Sequence, residues 1–278
     1  MPVFEKTRSF MASSEEGPFT IIGIPLDLST SYRPGTRFAP VAIREASYGL
    51  EEYDLLGGGD LHNIRFADKG DLLLSGSIEK AVEEIKEAIK YLLDSGSLPV
   101  IIGGEHLLTY PVVDILSQKF KEIYIVTLDA HADMRDEYNG LRLSHATVMR
   151  RISEIIPPQR IFQFGIRSGS REEAEYYRSS GIYYSPQPPS EEFFKGLKDK
   201  DVYISIDIDV LDPAYSPGTG TPEPCGWRPE QILSFLRSLK GIRLSGFDIV
   251  EVSPPFDPSG ITSLMAARII RECLLYLT

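Results

Sequence analysis

The sequence predicts an α/β layered fold built on a mainly parallel sheet. Two patterns carry that expectation. Eight short apolar runs recur along the 278-residue chain, several of them near-continuous in Val, Ile and Leu rather than alternating. Strands buried on both faces read that way, as they are in parallel sheets. Between the runs lie segments with apolar residues three and four apart, the spacing of a helix with one buried face. Strands alternating with helices imply βαβ units with right-handed crossovers.

In chain order, the first run is FTIIGIP at 19–25, followed by IRFAD at 64–68. A helix is expected over 77–95, where Ile78, Val82, Ile85, Ile89 and Leu92 share one face and Ser95-Gly96 supplies a stop. LPVIIG (98–103), EIYIVTLDA (122–130), RIFQFGIR (160–167) and a short GIYY (181–184) come next. VYISIDIDV (202–210) and RLSGFDIVEV (243–252) complete the strands, and Leu264, Ala267, Ile270 and Leu274 mark a helix over 260–277. The loops 211–228 and 253–260 are long and rich in Pro and Gly. Long loops inside a compact domain are more often functional than idle. No low-complexity linker or internal repeat divides the chain, so one domain over 1–278 is expected.

Composition narrows the function. Lys and Arg number 29 against 40 Asp and Glu, a net charge of −11. That balance argues against nucleic acid or an anionic membrane surface as partner and is compatible with a cationic ligand. Cys225 and Cys273 stand far apart and form neither a disulfide framework nor a zinc-ribbon spacing. The first residues, MPVFEKTRSFMASSEEG, lack the apolar core of a signal peptide, and no apolar run reaches the roughly 18 residues of a membrane span. The cytoplasm is the expected compartment. Two Asn and five Gln are few thermolabile amides, which suggests a thermophilic source.

In parallel α/β sheets, ligands bind beyond the carboxyl ends of the strands. GGEH (103–106) places His106 there, and DAHAD places Asp129, His131 and Asp133. SIDIDVLDP (205–213) contributes Asp207 and Asp209, and GFDIVEVSP (246–254) contributes Asp248 and Glu251. A single Asp after a strand is often only the N-cap of the next helix. Here Asp129 with His131, and Asp207 with Asp209, repeat an i, i+2 spacing that puts both side chains of a strand pair on one face. Carboxylates that close do not both ionise cheaply without a cation. The six candidates are His106, Asp129, His131, Asp133, Asp207 and Asp209, an oxygen-rich set without thiolate that suits a hard divalent ion such as Mn²⁺. Four carboxylates exceed the need of one ion. Bridging carboxylates would hold two ions about 3.5–4 Å apart, a spacing that accommodates a shared hydroxide. The residues alone therefore point to a binuclear metal hydrolase.

GGEH, DAHAD and SIDIDVLDPAYSPGTGTPEP, in this order, resemble the ureohydrolase family of arginases and agmatinases. SYRPGTRFAPVAIREAS (31–47) and GFDIVEVSPPFDPSGITSLMAARII (246–270) extend the resemblance over most of the chain. It implies a three-layer α/β/α domain with a mainly parallel eight-stranded sheet. By position, it implies that His106, Asp129, Asp133 and Asp207 hold one Mn²⁺. Asp129, His131, Asp207 and Asp209 would hold a second, with Asp129 and Asp207 bridging. It further implies that Asp133 handles a proton of the attacking water, that His145 shuttles protons, that Glu251 pairs with a substrate guanidinium, and that Thr221 stands near the reaction centre. A homo-oligomer, trimer or hexamer, is implied in the same way.

The loop EYNGLRLSHAT lacks the SGNLHG-type spacing with which arginases hold an α-amino acid, and SHAT with SYRPGTRF looks closer to agmatinases. Agmatine is a dication, and Asp136, on the loop beside the site, is a candidate partner for its distal ammonium. Glu105, Leu107, Cys225 and Pro258 depart from the usual agmatinase pattern, without removing a predicted ligand. Aminopropylagmatine and arginine remain competing substrates, guanidinobutyrate would require a cationic partner for its carboxylate, and a one-zinc deacetylase-type hydrolase is the competing class.

Overall fold

The computed structural model describes residues 1–276, and among these nine strands form one sheet. They are β1 (Phe4–Glu5), β2 (Phe19–Ile24), β3 (Phe66–Leu72), β4 (Leu98–Gly103), β5 (Tyr124–Leu128), β6 (Ile161–Phe164), β7 (Tyr183–Ser185), β8 (Asp201–Asp207) and β9 (Arg243–Val250). The order across the sheet is β1-β3-β2-β4-β9-β8-β5-β6-β7. Every pairing is parallel except that of β1 with β3. Each of the eight predicted runs is a strand. The ninth, β1, is a two-residue edge that pairs Phe4 with Leu72 and Glu5 with Asp71. So short a strand has no periodicity to read and exists only through its partner.

The helices are α1 (Ala39–Ser47), α2 (Ile78–Asp94), α3 (Thr109–Lys119), α4 (Val148–Ser153), α5 (Arg171–Ser180), α6 (Glu191–Gly196), α7 (Pro229–Ser238) and α8 (Ile261–Tyr276). They sandwich the sheet because strand side chains alternate between its faces. Ile21, Val100 and Ile102 share a core with Ile43 of α1, Phe235 of α7 and Ile270 of α8. Their neighbours Ile22 and Ile101 share the other core with Ile85 of α2 and Val112 of α3. The architecture is thus α/β/α.

Helix α2 matches its prediction closely. Ser77 caps it by accepting from the Lys80 N–H, and Gly96, at φ 80°, ends it. The predicted last helix runs to 277, which lies outside the described residues. Within it, Ala267, Ile270 and Leu274 are buried, but Leu264 is 38% exposed. Leu264 occupies the first turn of α8, with its side chain beside Gly49. Beneath the sheet edge, Arg44 is fully buried and paired with Asp68 at 2.8 Å and with Asp71.

Candidate metal centre and active site

Strands β4, β9, β8 and β5 are consecutive in the sheet, so their carboxyl ends form one continuous edge. That edge delivers His106 after β4, Glu251 after β9, Asp207 and Asp209 from β8, and Asp129, His131 and Asp133 after β5. The local geometry corrects one expectation. Asp129 and His131 do not alternate along a strand, because β5 stops at Leu128. Instead Asp129 Oδ1 accepts from the His131 N–H at 2.6 Å. Asp207 ends β8 and caps the single 3-10 turn Ile208–Val210, its Oδ1 accepting from the Asp209 N–H at 2.8 Å. Both i, i+2 pairs are therefore turns closed by an aspartate. The capping role and the clustering of charge coexist in one residue.

Two groups of donor atoms result. His106, Asp129 and Asp133 each place one atom within 4.8 Å of the others, and so do Asp129, His131 and Asp209. Asp129 belongs to both. Its Oδ2 lies 3.1 Å from His106 Nδ1, and its Oδ1 lies 3.8 Å from His131 Nδ1. Asp133 Oδ2 is 3.1 Å and Asp207 Oδ2 3.5 Å from His106 Nδ1. His131 Nδ1 is 2.8 Å from Asp209 Oδ2. Asp207 stands outside both groups, with its Oδ2 facing His106 of the first.

The hydrogen bonds of His106 test whether this set suits a metal. Ser205 Oγ donates to Asp248 Oδ1 at 2.6 Å, so it can only accept from His106 Nε2, 3.1 Å away. In the uncharged ring, that leaves a lone pair on Nδ1, aimed at carboxylate oxygens. His106 Nδ1 and Asp129 Oδ2 are buried, and among the described residues neither has a hydrogen-bond partner. Donors on a six-coordinate ion with bonds of about 2.1 Å lie about 3 Å apart. The spacing and the unsatisfied atoms fit a divalent cation. Asp248, which also accepts from Tyr203 Oη at 2.6 Å and Thr109 Oγ1 at 2.9 Å, anchors the ring from behind.

Without a cation, the charges strain against one another. Burial, then Asp133 and Asp209, raise Asp129 to about 7. Burial and the Asp209 and Asp129 charges push Asp207 well above the carboxylate range. Burial disfavours charge on His131, but Asp209 outweighs it and lifts the ring to about 10, while His131 in turn helps to draw Asp209 down to about 2 against its own burial. His106 is likewise raised well above its usual value, burial being outweighed by Asp129 and Asp133. Glu251 is raised well above the usual range by burial, with Glu105 adding to the shift.

A cavity of about 250 Å³ opens onto these groups, lined by His131, Asp133, His145, Asp207, Thr221 and Glu251 among others. Glu251 Oε1 accepts from the His106 N–H at 2.7 Å, which fixes the carboxylate. Thr221 Oγ1 donates to Asp209 Oδ2 at 3.4 Å. Asp133 and Glu251 both adopt left-handed backbone, at φ 51° and 64°, a conformation that non-glycine residues usually avoid outside strained or functional sites. His145 reaches the cavity from the 3-10 turn His145–Thr147, with Tyr138 edge-on at 5.6 Å. Burial lowers its pKa.

Asp136 is a correction. It does not line the cavity: its Oδ1 takes Arg151 Nη2 at 2.6 Å, with Arg142 at 3.6 Å. Its charge is paired with Arg151 of the adjoining helix α4. The cavity instead contains Arg135 and Glu173, with Arg135 Nε 3.7 Å from Glu173 Oε2. Sequence reasoning missed both of these, as well as Ser31, and nothing in their spacing marks them. It also missed Arg167, whose guanidinium ties the 211–228 loop to the site by donating to the carbonyls of Asp209 (2.8 Å), Glu223 (2.7 Å) and Pro224 (3.0 Å).

Fold and site together define a hydrolase of the arginase class. Residues 18–276 match the Arginase family, and the chain belongs to it. Within that family it is a ureohydrolase, and its relatives include agmatinases. The agmatinase of Bacillus anthracis is 39% identical over 269 residues, covering 95% of this chain and 93% of that protein. The structure of a putative agmatinase from Clostridium difficile superposes with a TM-score of 0.88 at 38% identity, over 94% of this chain and 97% of that one. The agmatine ureohydrolase of Thermoplasma volcanium also gives a TM-score of 0.88, at 32% identity over 98% and 95% of the two chains. Among the described residues no helix is long and apolar enough to cross a membrane.

Proposed function

We propose that the chain hydrolyses the guanidinium group of agmatine to putrescine and urea, using two Mn²⁺ ions. The observation that carries this reading is the pair of donor groups sharing Asp129, set in the same cavity as Glu251. His106, Asp129, Asp133 and Asp207 would hold one ion, and Asp129, His131, Asp207 and Asp209 the other. Bound divalent ions of this kind supply a water that loses a proton near neutral pH, and positive charge for the transition state.

The remaining work falls to side chains. A guanidinium is planar and permanently cationic, and a carboxylate can accept two of its N–H bonds. Glu251 suits that role, since its orientation is set by the His106 N–H and an arriving cation favours its ionised form. Thr221, beside Asp209, lines the same space. Asp133 takes the proton of the attacking water. His145 passes a proton to the leaving amine, which departs neutral instead of as an amide anion. The whole chain, 1–278, acts as one ureohydrolase domain in the cytoplasm, and as a homo-oligomer, trimer or hexamer, as the family resemblance implies.

One observation favours a second substrate. Arg135 lines the cavity, and a guanidino acid would bring a carboxylate to it. Glu173, 3.7 Å away, already balances that charge, so agmatine stands first. Urea release from agmatine, aminopropylagmatine, arginine and 4-guanidinobutyrate, measured side by side on Mn²⁺-loaded protein, decides among them. Agmatine is expected to give the highest kcat/KM, and a panel without urea from any of the four would overturn the reading.

A further inference from the structure

Behind His145 lies a buried hydrogen-bonded chain that the reaction as described does not use. Ser29 Oγ is 3.0 Å from Glu105 Oε1, 3.0 Å from the His145 backbone nitrogen and 3.2 Å from His145 Nδ1. Glu105 is fully buried, and its other oxygen accepts from the N–H groups of Leu28 (3.1 Å) and Ser29 (2.8 Å), while Thr30 Oγ1, 3.3 Å away, donates its proton to Asp27 Oδ1 at 2.8 Å. Burial pushes this carboxyl above its usual value, but the two backbone N–H groups and the Ser29 hydroxyl converging on it oppose that shift and suit its ionised, acceptor-only form.

The directions then follow by counting. A hydroxyl has one proton and two lone pairs. Ser29 gives its proton to Glu105 and accepts from the His145 backbone N–H, leaving one lone pair for the ring. Ser29 Oγ, at 3.2 Å, is nearer to Nδ1 than Ser144 Oγ, at 3.4 Å, and an acceptor facing Nδ1 selects the tautomer that carries the proton on Nδ1. We propose that Ser29 and Glu105 are positioning residues that hold the His145 proton on Nδ1, so that the ring exchanges protons with the cavity only through Nε2.

The other ring nitrogen faces a different setting. Nε2 lies 3.4 Å from Ser31 Oγ, and both residues line the cavity. The proton balance is simple. Nε2 takes a proton from the water side and gives it to the leaving amine nitrogen, while the Nδ1–H bond neither forms nor breaks. A ring held in the opposite tautomer would present Nε2–H at rest and could not accept there. The lowered pKa of His145 agrees with a resting ring that is uncharged at neutral pH.

This inference rests on the proposed shuttle role of His145, and its test separates the two. The chain has only four histidines, so ¹⁵N-histidine labelling gives a spectrum in which a His145→Asn variant identifies the His145 signals. In the chelated protein near neutral pH, His145 is expected to show a protonated-type Nδ1 and an unprotonated-type Nε2. Ser29→Ala should shift that pattern towards Nε2–H, and Ser29→Thr should restore it. In Mn²⁺-loaded enzyme, Ser29→Ala should lower kcat about tenfold with KM for agmatine changed less than about twofold, and Ser29→Thr should recover most of the loss. An Nε2–H signal in the unmodified protein, or a tautomer indifferent to Ser29→Ala, overturns the proposal. If the tautomer behaves as stated but His145→Asn retains full kcat, the shuttle role fails and the positioning stands.

Discussion

Loading the site with Mn²⁺ should release protons, and their number follows from the metal-free charges. A ring nitrogen must give up its proton to bind a cation, and a carboxylic acid must ionise. At pH 7, His131, held at about 10, carries a full extra proton, and His106, raised well above its usual value by Asp129 and Asp133 against its own burial, adds to the count. Asp129, at about 7, is half protonated, and Asp207, pushed well above 3.8, contributes further, whereas Asp209, at about 2, contributes none. More than one proton per chain is therefore expected, that of His131 in full and the others in addition. The energetic consequence is large: deprotonating His131 alone, three units below its pKa, draws about 4 kcal/mol from metal affinity at pH 7. Isothermal titration of Mn²⁺ into chelated protein, repeated in buffers of different ionisation enthalpy, counts the protons directly. A His145→Ala variant should give the same count, since that ring is not a ligand. Release of fewer than one proton per chain would refute the charge assignment, and with it the argument that cations relieve the site.

Four further outcomes are expected. In the chelated protein, the raised pKa of His131 means that its stabilising contribution is complete below the usual value of about 6.5 and is lost as pH rises through about 10, so Tm should fall by roughly 10 °C over that window; metal-loaded protein, where the ring is neutral throughout, should not show this fall in a thermal scan. Arg44→Met strands the buried Asp68 and Asp71, which should cost about 3–5 kcal/mol and lower Tm by about 10 °C without changing KM for agmatine. Glu251→Gln should reduce kcat/KM by about 10²–10³ while metal analysis still finds two ions per chain; loss of the ions would make Glu251 a structural support of the centre instead. Asp136→Ala should leave KM within about twofold, since its carboxylate serves Arg151; a tenfold rise would return it to the substrate end.

The fold was legible wherever burial imposed a period. The eight apolar runs are strands because a parallel sheet buries both faces, and that leaves an unbroken apolar signature. β1 left none, being two residues held by β3. At the site, residue types and strand ends were readable, because ionisable side chains at the close of an apolar run stand out against it. How they meet was not. The aspartate-closed turns at Asp129 and Asp207 replace the strand alternation that the spacing suggested. Asp136 was misplaced because its partner Arg151 lies in the following helix, where a helical basic residue looks like ordinary surface. Ser29 and Glu105 sit 76 positions apart and acquire meaning only when β2 and β4 lie side by side. Asp248 was visible as a strand-end acid, but its three hydroxyl donors come from one neighbouring strand, β8, and from helix α3.

The left-handed backbone at Asp133 and Glu251 sets this enzyme's chemistry against its own stability. Glycine accepts such dihedrals without steric strain, at some cost in chain entropy, and replacing either residue by glycine would also remove a buried acid from a crowded cluster. Selection for thermal survival alone would therefore drift towards glycine at Asp133 and lose the proton handler, whereas at Glu251 glycine would also strand the buried His106 N–H and the drift would be checked. Any campaign to harden this chain must be screened for urea release from its first round.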